Sequence, residues 1–83
     1  MRTAKVVVGT EPTLLFDKST VWRECHIHNE SGVVYIGNSD VSTTTGVKVD
    51  NNFHDIFTLP PTAQMYAVTA SGTATVWCLE LHS

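Results

Sequence analysis

The chain has 83 residues, of which 16% are charged and 42% are hydrophobic, and its formal net charge is -3 at pH 7. This length predicts one domain, residues 1–83, with a thin core that buries only a little over ~60% of the surface of the unfolded chain. The five Lys and Arg residues are spread singly, so we expect no binding to nucleic acid. No apolar run approaches the ~20 residues that cross a bilayer, and no signal peptide is recognisable, which predicts a protein of the cytoplasm without membrane contact.

Apolar and polar residues alternate with a period of two along most of the chain, and no segment shows the apolar spacing of a helix. The alternating segments end at Gly, Pro, Asn and Asp residues, which favour turns. The sequence therefore predicts an all-β fold, a small β-sandwich or jelly-roll-like barrel of about eight short antiparallel strands. The strands are expected at 5–8, 13–16, 21–29, 33–37, 46–49, 53–59, 65–70 and 73–81, with residues 1–4 as a short N-terminal arm.

Three connections have a clear turn composition. Residues 29–32, which end in Gly32, and the pair Ser71-Gly72 are each expected to close a β-hairpin, because glycine reaches the positive φ that such turns require. Residues 38–45, NSDVSTTT, are expected to form a polar surface loop.

The alternation also predicts which side chains point into the core. On the third strand these are Val21, Cys25 and Ile27, and on the fourth strand Val34 and Ile36.

The last strand can be read in two registers. We prefer the one in which Trp77, Leu79 and Leu81 point inward, because Glu80 and His82 then face solvent.

Cys25 and Cys78 are too few for a disulfide framework and too far apart in sequence for a metal knuckle. Both alternate with their neighbours inside predicted strands, so they are interpreted as small buried residues, although the preferred register of the last strand would turn Cys78 outward. A disulfide stays open if their strands are neighbours, and a reducing cytoplasm disfavours it.

The third strand carries the sharpest chemical pattern. Glu24, His26 and His28 lie at alternate positions and should share one face. Two imidazoles so spaced can chelate zinc, iron or nickel, as the strand-borne His-x-His pair of cupin barrels does, so His26 and His28 are a candidate metal pair. The cupin pattern also needs a later Glu and a third His, which His54 and Asp55 could supply only if their strand lies close by. The alternative is a polar interface strip without metal.

An active site is not recognisable. The chain lacks a Gly-x-Ser-x-Gly elbow, its acidic residues lie beside turns, and its glycines fall at strand ends. Exposed aromatic residues on a surface of low charge are instead typical anchors for a protein partner. The candidate interface residues are Trp22, Glu24, His26, His28, Phe53 and His54.

Three motifs stand out by their order and spacing, namely Ile-His-Asn at 27–29, Val-Tyr-Ile-Gly at 34–37 and Tyr-Ala-Val-Thr-Ala-Ser-Gly-Thr-Ala at 66–74. Together they resemble a small β-sandwich domain of tailed-bacteriophage virion proteins. A Val-rich opening segment and the run SGVVYIGNSDV add to the resemblance, which extends over nearly the whole chain.

The resemblance implies a non-enzymatic virion structural protein without a cofactor. It favours a capsid decoration or minor capsid protein, made in the host cytoplasm, that binds the major capsid protein on the outer shell, often as a homotrimer. Two alternatives remain at this point. One is a cupin-like metal-binding protein that uses His26 and His28, and the other is a receptor-binding or glycan-binding fibre tip that uses the loop 38–45.

Overall fold

The computed structural model describes residues 2–81, which fold as eight strands without a helix. Each predicted strand is present close to its expected place, and the all-β prediction is confirmed. Residues 2–4, expected as an arm, belong to the first strand, and Met1 lies outside the described residues. Within residues 2–81 no helix is long and apolar enough to cross a membrane. The strands are β1 (Arg2–Val8), β2 (Thr13–Phe16), β3 (Arg23–Ser31), β4 (Val34–Gly37), β5 (Val47–Val49), β6 (His54–Leu59), β7 (Met65–Val68) and β8 (Ala74–Leu81).

The strands form two antiparallel four-stranded sheets that pack face to face. The first sheet has the order β1-β8-β3-β6 and the second has the order β2-β7-β4-β5. The first strand therefore pairs with the last: β1 pairs with β8, β2 with β7, β3 with β6, and β4 with β5. This nested pairing, wrapped over two sheets, is the topology of a jelly roll.

Both predicted hairpins are wrong, because their turns join strands of different sheets. β3 and β4 lie on either side of Gly32, and β7 and β8 lie on either side of Gly72, yet neither pair of strands shares a sheet. The two glycines do adopt the positive φ expected of them, 77° and 67°. A tight hairpin turn and a connection between two sheets can both require a glycine with positive φ, so the local sequence could not distinguish them. Among residues 2–81 only β4 and β5 form a hairpin of consecutive strands.

The core lies between the sheets and is largely as predicted for β3 and β4. Cys25, Ile27, Val34 and Ile36 are buried, as expected, whereas Val21 precedes β3 and is exposed. The core also contains Val8, Phe16 and Val49, which the sequence analysis had not assigned to it, and Val76, which only the other register of the last strand had turned inward.

The preferred register of β8 is wrong. Val76, Cys78 and Glu80 point inward, while Trp77 is exposed on the opposite side of the sheet. The preference assumed that a carboxylate must face solvent, but Glu80 is buried beside two arginines that neutralise it.

Arg23 closes one end of the sandwich and explains this register. Its side chain is fully buried, and its Nη1 lies 3.2 Å from Glu80 Oε2. The same nitrogen donates to the carbonyl of Asp17, and Nη2 donates to the carbonyls of Pro60 at 3.1 Å and Ala63 at 2.9 Å. One guanidinium thus joins β3 and β8 to the connections that enter β3 and β7.

Asn29 plays the corresponding part at the opposite end of β3. Its buried side-chain nitrogen donates to the carbonyls of Gly32, Val49 and Asp50, at 2.8, 3.1 and 3.1 Å. Its backbone nitrogen donates to Phe53 at 2.8 Å. These bonds connect the first sheet to the end of β5 in the second sheet, so the sandwich is fixed by a polar residue at each end.

Both cysteines are buried, as first interpreted, and both thiols are free. Their strands are neighbours, but Cys25 faces Glu80 and Cys78 faces Ile27, so the two thiols are diagonal and not opposite. Burial raises the pKa of the Cys78 thiol from its ordinary value of 9.0 to about 11. These thiols are therefore protonated and poorly reactive in the folded protein.

Replacing Arg23 by Met is expected to lower the free energy of unfolding by about 3 to 5 kcal/mol, because the Glu80 carboxylate is left without its buried partner. Urea unfolding of both proteins measures the difference. Lys48→Ala is the matched control, since it breaks an exposed ion pair with Asp50 at 3.6 Å and should cost less than about 1 kcal/mol. Equal losses for the two variants would contradict the assigned role of Arg23.

The buried thiol predicts a loss of stability at high pH. Since the Cys78 thiol ionises near 9.0 when exposed and near 11 when folded, the unfolded chain alone releases this proton between those values. The free energy of unfolding should then fall by roughly 2 kcal/mol over that window. Denaturant unfolding of the wild type and of Cys78→Ala isolates this contribution, because the other titrating groups are common to both. If the free energy of unfolding changes with pH in the same way for the wild type and for Cys78→Ala, the Cys78 thiol is not shielded from solvent.

Candidate functional site

The candidate site is the solvent side of the first sheet, formed by the outward side chains of β1, β8, β3 and β6, and is called here the outer face. Its apolar residues are unusually open for large side chains. Val7 is 59% exposed, Ile56 is 49% exposed and Trp77 is 44% exposed. Its charged residues are few and of both signs, namely Lys5, Glu24 and Glu30.

Trp77 lies on the central strand β8 and is held by polar contacts on both sides. It pairs across the sheet with Lys5 of β1 and His28 of β3. Its indole nitrogen donates to Glu30 Oε1 at 3.0 Å, and Lys5 Nζ lies 5.4 Å from the ring centroid. These contacts restrict the orientation of the indole, which would reduce the entropy lost if a partner bound there.

Three imidazoles lie beside the indole. His28 and His54 face each other directly across β3 and β6, while His26 lies between Leu79 and Ile56. With Trp77, Leu79 and Thr3, the three histidines line a shallow depression of about 220 Å³. Its floor is the backbone of two central strands, so its shape depends on the sheet and not on a loop.

His26 has an incompletely satisfied nitrogen. Its Nε2 atom is buried but has no hydrogen-bond partner within the described part of the chain, and Glu24 Oε2 lies 3.6 Å away. A buried polar atom without a partner costs free energy, which a bound donor or acceptor would recover.

The histidines do not form a three-ligand metal centre. Among residues 2–81 no group of three His, Cys, Asp or Glu side chains is placed to hold a metal ion. His26 and His28 point out of the sandwich, whereas Asp55, suggested as a further ligand, alternates with His54 and lies on the inner side of β6. The pair His28 and His54 supplies two nitrogens at most, fewer than the three or four protein ligands of ordinary zinc sites.

Four of the six predicted interface residues, Glu24, His26, His28 and His54, lie together on the outer face. Trp22 and Phe53 are exposed but lie just before β3 and β6, outside the paired region. The sequence reading missed Trp77, because it used the wrong register of β8. The sequence did contain a signal for the correct register. The alternation that turns Cys25 and Ile27 inward on β3 also turns Arg23 inward, where it can neutralise an inward Glu80.

The loop 38–45 is less available for ligands than its composition suggests. Val41 is buried beneath it, and Ser42 Oγ lies 2.9 Å from Thr44 Oγ1 and 3.1 Å from Thr45 Oγ1. The hydroxyl groups are thus largely engaged with each other.

A second depression, of about 260 Å³, is lined by Ile36, Gly37, Val47, Phe57, Gln64 and Met65, without an ionisable side chain.

Comparisons of the chain with protein-family models, with curated proteins and with solved structures found no match. Jelly rolls occur in capsid proteins, lectins and cupins alike, so the fold by itself does not choose among these functions. The choice depends on the outer face.

We expect zinc to bind only weakly. A tenfold excess of Zn²⁺ should change the thermal unfolding midpoint by less than about 1 °C, because two open imidazoles form an incomplete site. Calorimetry of the untagged protein measures this, with His28→Ala as the matched variant. A stoichiometric zinc site that disappears in His28→Ala would revive the metal-binding alternative.

Proposed function

We propose that this chain is a non-enzymatic structural protein of a phage virion, a capsid decoration or minor capsid protein that binds the major capsid protein on the outside of the shell. The observation that carries the proposal is the outer face, a sheet surface of low charge with an exposed Trp77 at its centre that is hydrogen-bonded to Glu30. The sequence resemblance supplies the identity of the partner.

The outer face is a modest contact surface. Its four strands of six to nine residues span on the order of 25 by 20 Å at ~3.3 Å per residue and ~4.8 Å per strand. This gives about 500 Å², against the ~800 Å² that one partner contributes to a standard protein interface. Aromatic residues are enriched among the side chains that dominate binding energy, and Trp77 is the aromatic residue at the centre of the outer face, between Lys5 and His28.

The proposed mechanism is mechanical and needs no chemical step. A decoration protein that binds only the assembled shell stabilises it by mass action, because each bound copy must leave before its subunits separate. As a homotrimer on a threefold position, three outer faces would contact neighbouring capsid subunits at once, and this multivalency would slow dissociation.

Trp77→Ser is expected to weaken binding to undecorated capsids by at least about tenfold, because it removes the central anchor of the outer face. The capsids are assembled from the major capsid protein of the same genome, and co-sedimentation with increasing protein gives the affinity. Light scattering of the free protein gives the number of copies per particle.

Leu14→Ser is the matched control for this experiment. Leu14 lies on β2 of the second sheet, pairs with Tyr66 across that sheet and is 37% exposed, so its replacement removes an exposed apolar side chain from the opposite side of the sandwich. Binding that is lost in Leu14→Ser and retained in Trp77→Ser would assign the contact to the second sheet. Absence of capsid binding by the wild type would reject the proposed function.

A further inference from the structure

The two sheets have four edge strands, and three of them are protected against pairing with another chain. β5 has three residues, and β2 has four and a register shift between Leu14 and Phe16. β6 is protected by Asp55, whose Oδ1 accepts the backbone N–H of Ile56 at 2.8 Å. Short strands, bulges and charged residues on edges are the usual means by which natural sheets avoid such pairing.

β1 is different. It has seven residues, no proline and an unbroken register with β8 from Arg2 to Val8. Within residues 2–81 no strand pairs with its other side. It is therefore the one long and regular open edge among the described strands.

The hydrogen-bond pattern fixes which backbone groups of β1 are open. Asn29 donates to Phe53, its directly opposite residue, so the odd residues of β3 bond to β6. The even residues of β3 then bond to the odd residues of β8, and the even residues of β8 bond to the even residues of β1. The N–H and C=O groups of Thr3, Lys5 and Val7 are left pointing away from the sheet.

The open edge has a charge that selects its partner. β1 carries two of the five Lys and Arg residues of the chain, no acidic residue, and belongs to a protein with a net charge of -3. Arg2 is already paired with Glu80 at 3.4 Å, whereas Lys5 contacts the ring of Trp77 and has no carboxylate within 4 Å among the described residues. A second copy of β1 would bring a like charge, and an acidic strand would bring the complement.

We propose that β1 is a docking edge for an extended segment of a partner protein, which adds as a fifth strand to the first sheet and carries a carboxylate opposite Lys5. The bonds to Thr3, Lys5 and Val7 supply affinity without regard to sequence, and the ion pair with Lys5 sets the register. The proposal does not depend on a capsid partner.

The test uses a synthetic peptide, acetyl-Thr-Thr-Val-Glu-Val-Thr-Thr-amide, added to the full chain and followed by NMR. We expect saturable binding with slower hydrogen exchange at the amides of Thr3, Lys5 and Val7. The same peptide with Lys in place of Glu should bind about fivefold more weakly, because a like-charged pair replaces an opposite one. In Lys5→Glu the preference between the two peptides should reverse.

Two proline variants test the direction of the amides. Val7→Pro removes an outward N–H and should abolish peptide binding while the protein stays folded, whereas Val6→Pro removes a bond to β8 and should unfold or strongly destabilise it. If Val7→Pro also unfolds the protein, the reversed preference of Lys5→Glu between the two peptides is by itself the test of the docking edge.

The proposal is overturned if the amides of Thr3, Lys5 and Val7 are unaffected by the peptide, or if both peptides bind equally well. It is also overturned if those amides become protected with increasing protein concentration alone, because the occupant would then be a second copy of β1. A capsid interaction that fails while the peptide binds would reject the proposed function and leave the docking edge intact.

Discussion

The buried ion pair between Arg23 and Glu80 is the constraint on which the first sheet depends. It neutralises a carboxylate inside the sandwich, and so permits the register in which β8 turns Val76 and Cys78 inward. In a domain with so thin a core, one misplaced charge would cost a large part of the total stability. The opposite register would bury Trp77 and leave the outer face without its anchor.

The outer face and the docking edge are continuous, because the side chains of Thr3, Lys5 and Val7 point to the outer face while their backbone groups point to the open edge. A partner that adds a strand to β1 would therefore lie beside Trp77. Lys5 is common to both surfaces, since its ammonium group lies over the indole while its backbone N–H and C=O belong to the open edge. The open edge of β1 and the indole of Trp77 would thus both lie within reach of one bound partner.

The histidines illustrate how tertiary position changes the meaning of a motif. His26 and His28 have the spacing of a metal pair, but β3 directs them out of the sandwich, among apolar side chains and opposite His54. Their neighbours are mainly apolar, and among residues 2–81 they do not complete a coordination shell. A His-x-His pattern on a strand is informative about chemistry only when the face of the strand is known.

The sequence by itself determined the all-β class, the eight strands and the inward side chains of β3 and β4, because alternation with a period of two is a local property. It also predicted that Glu24, His26 and His28 share one face, whereas the position of His54 beside them depends on the pairing of β3 with β6. It could not determine which strands pair. Both expected hairpins are connections between the two sheets, because a glycine with positive φ fits either kind of connection. The register of β8 and the open edge of β1 were decided by the tertiary structure alone, since the first depends on the distant Arg23 and the second on which strands are neighbours.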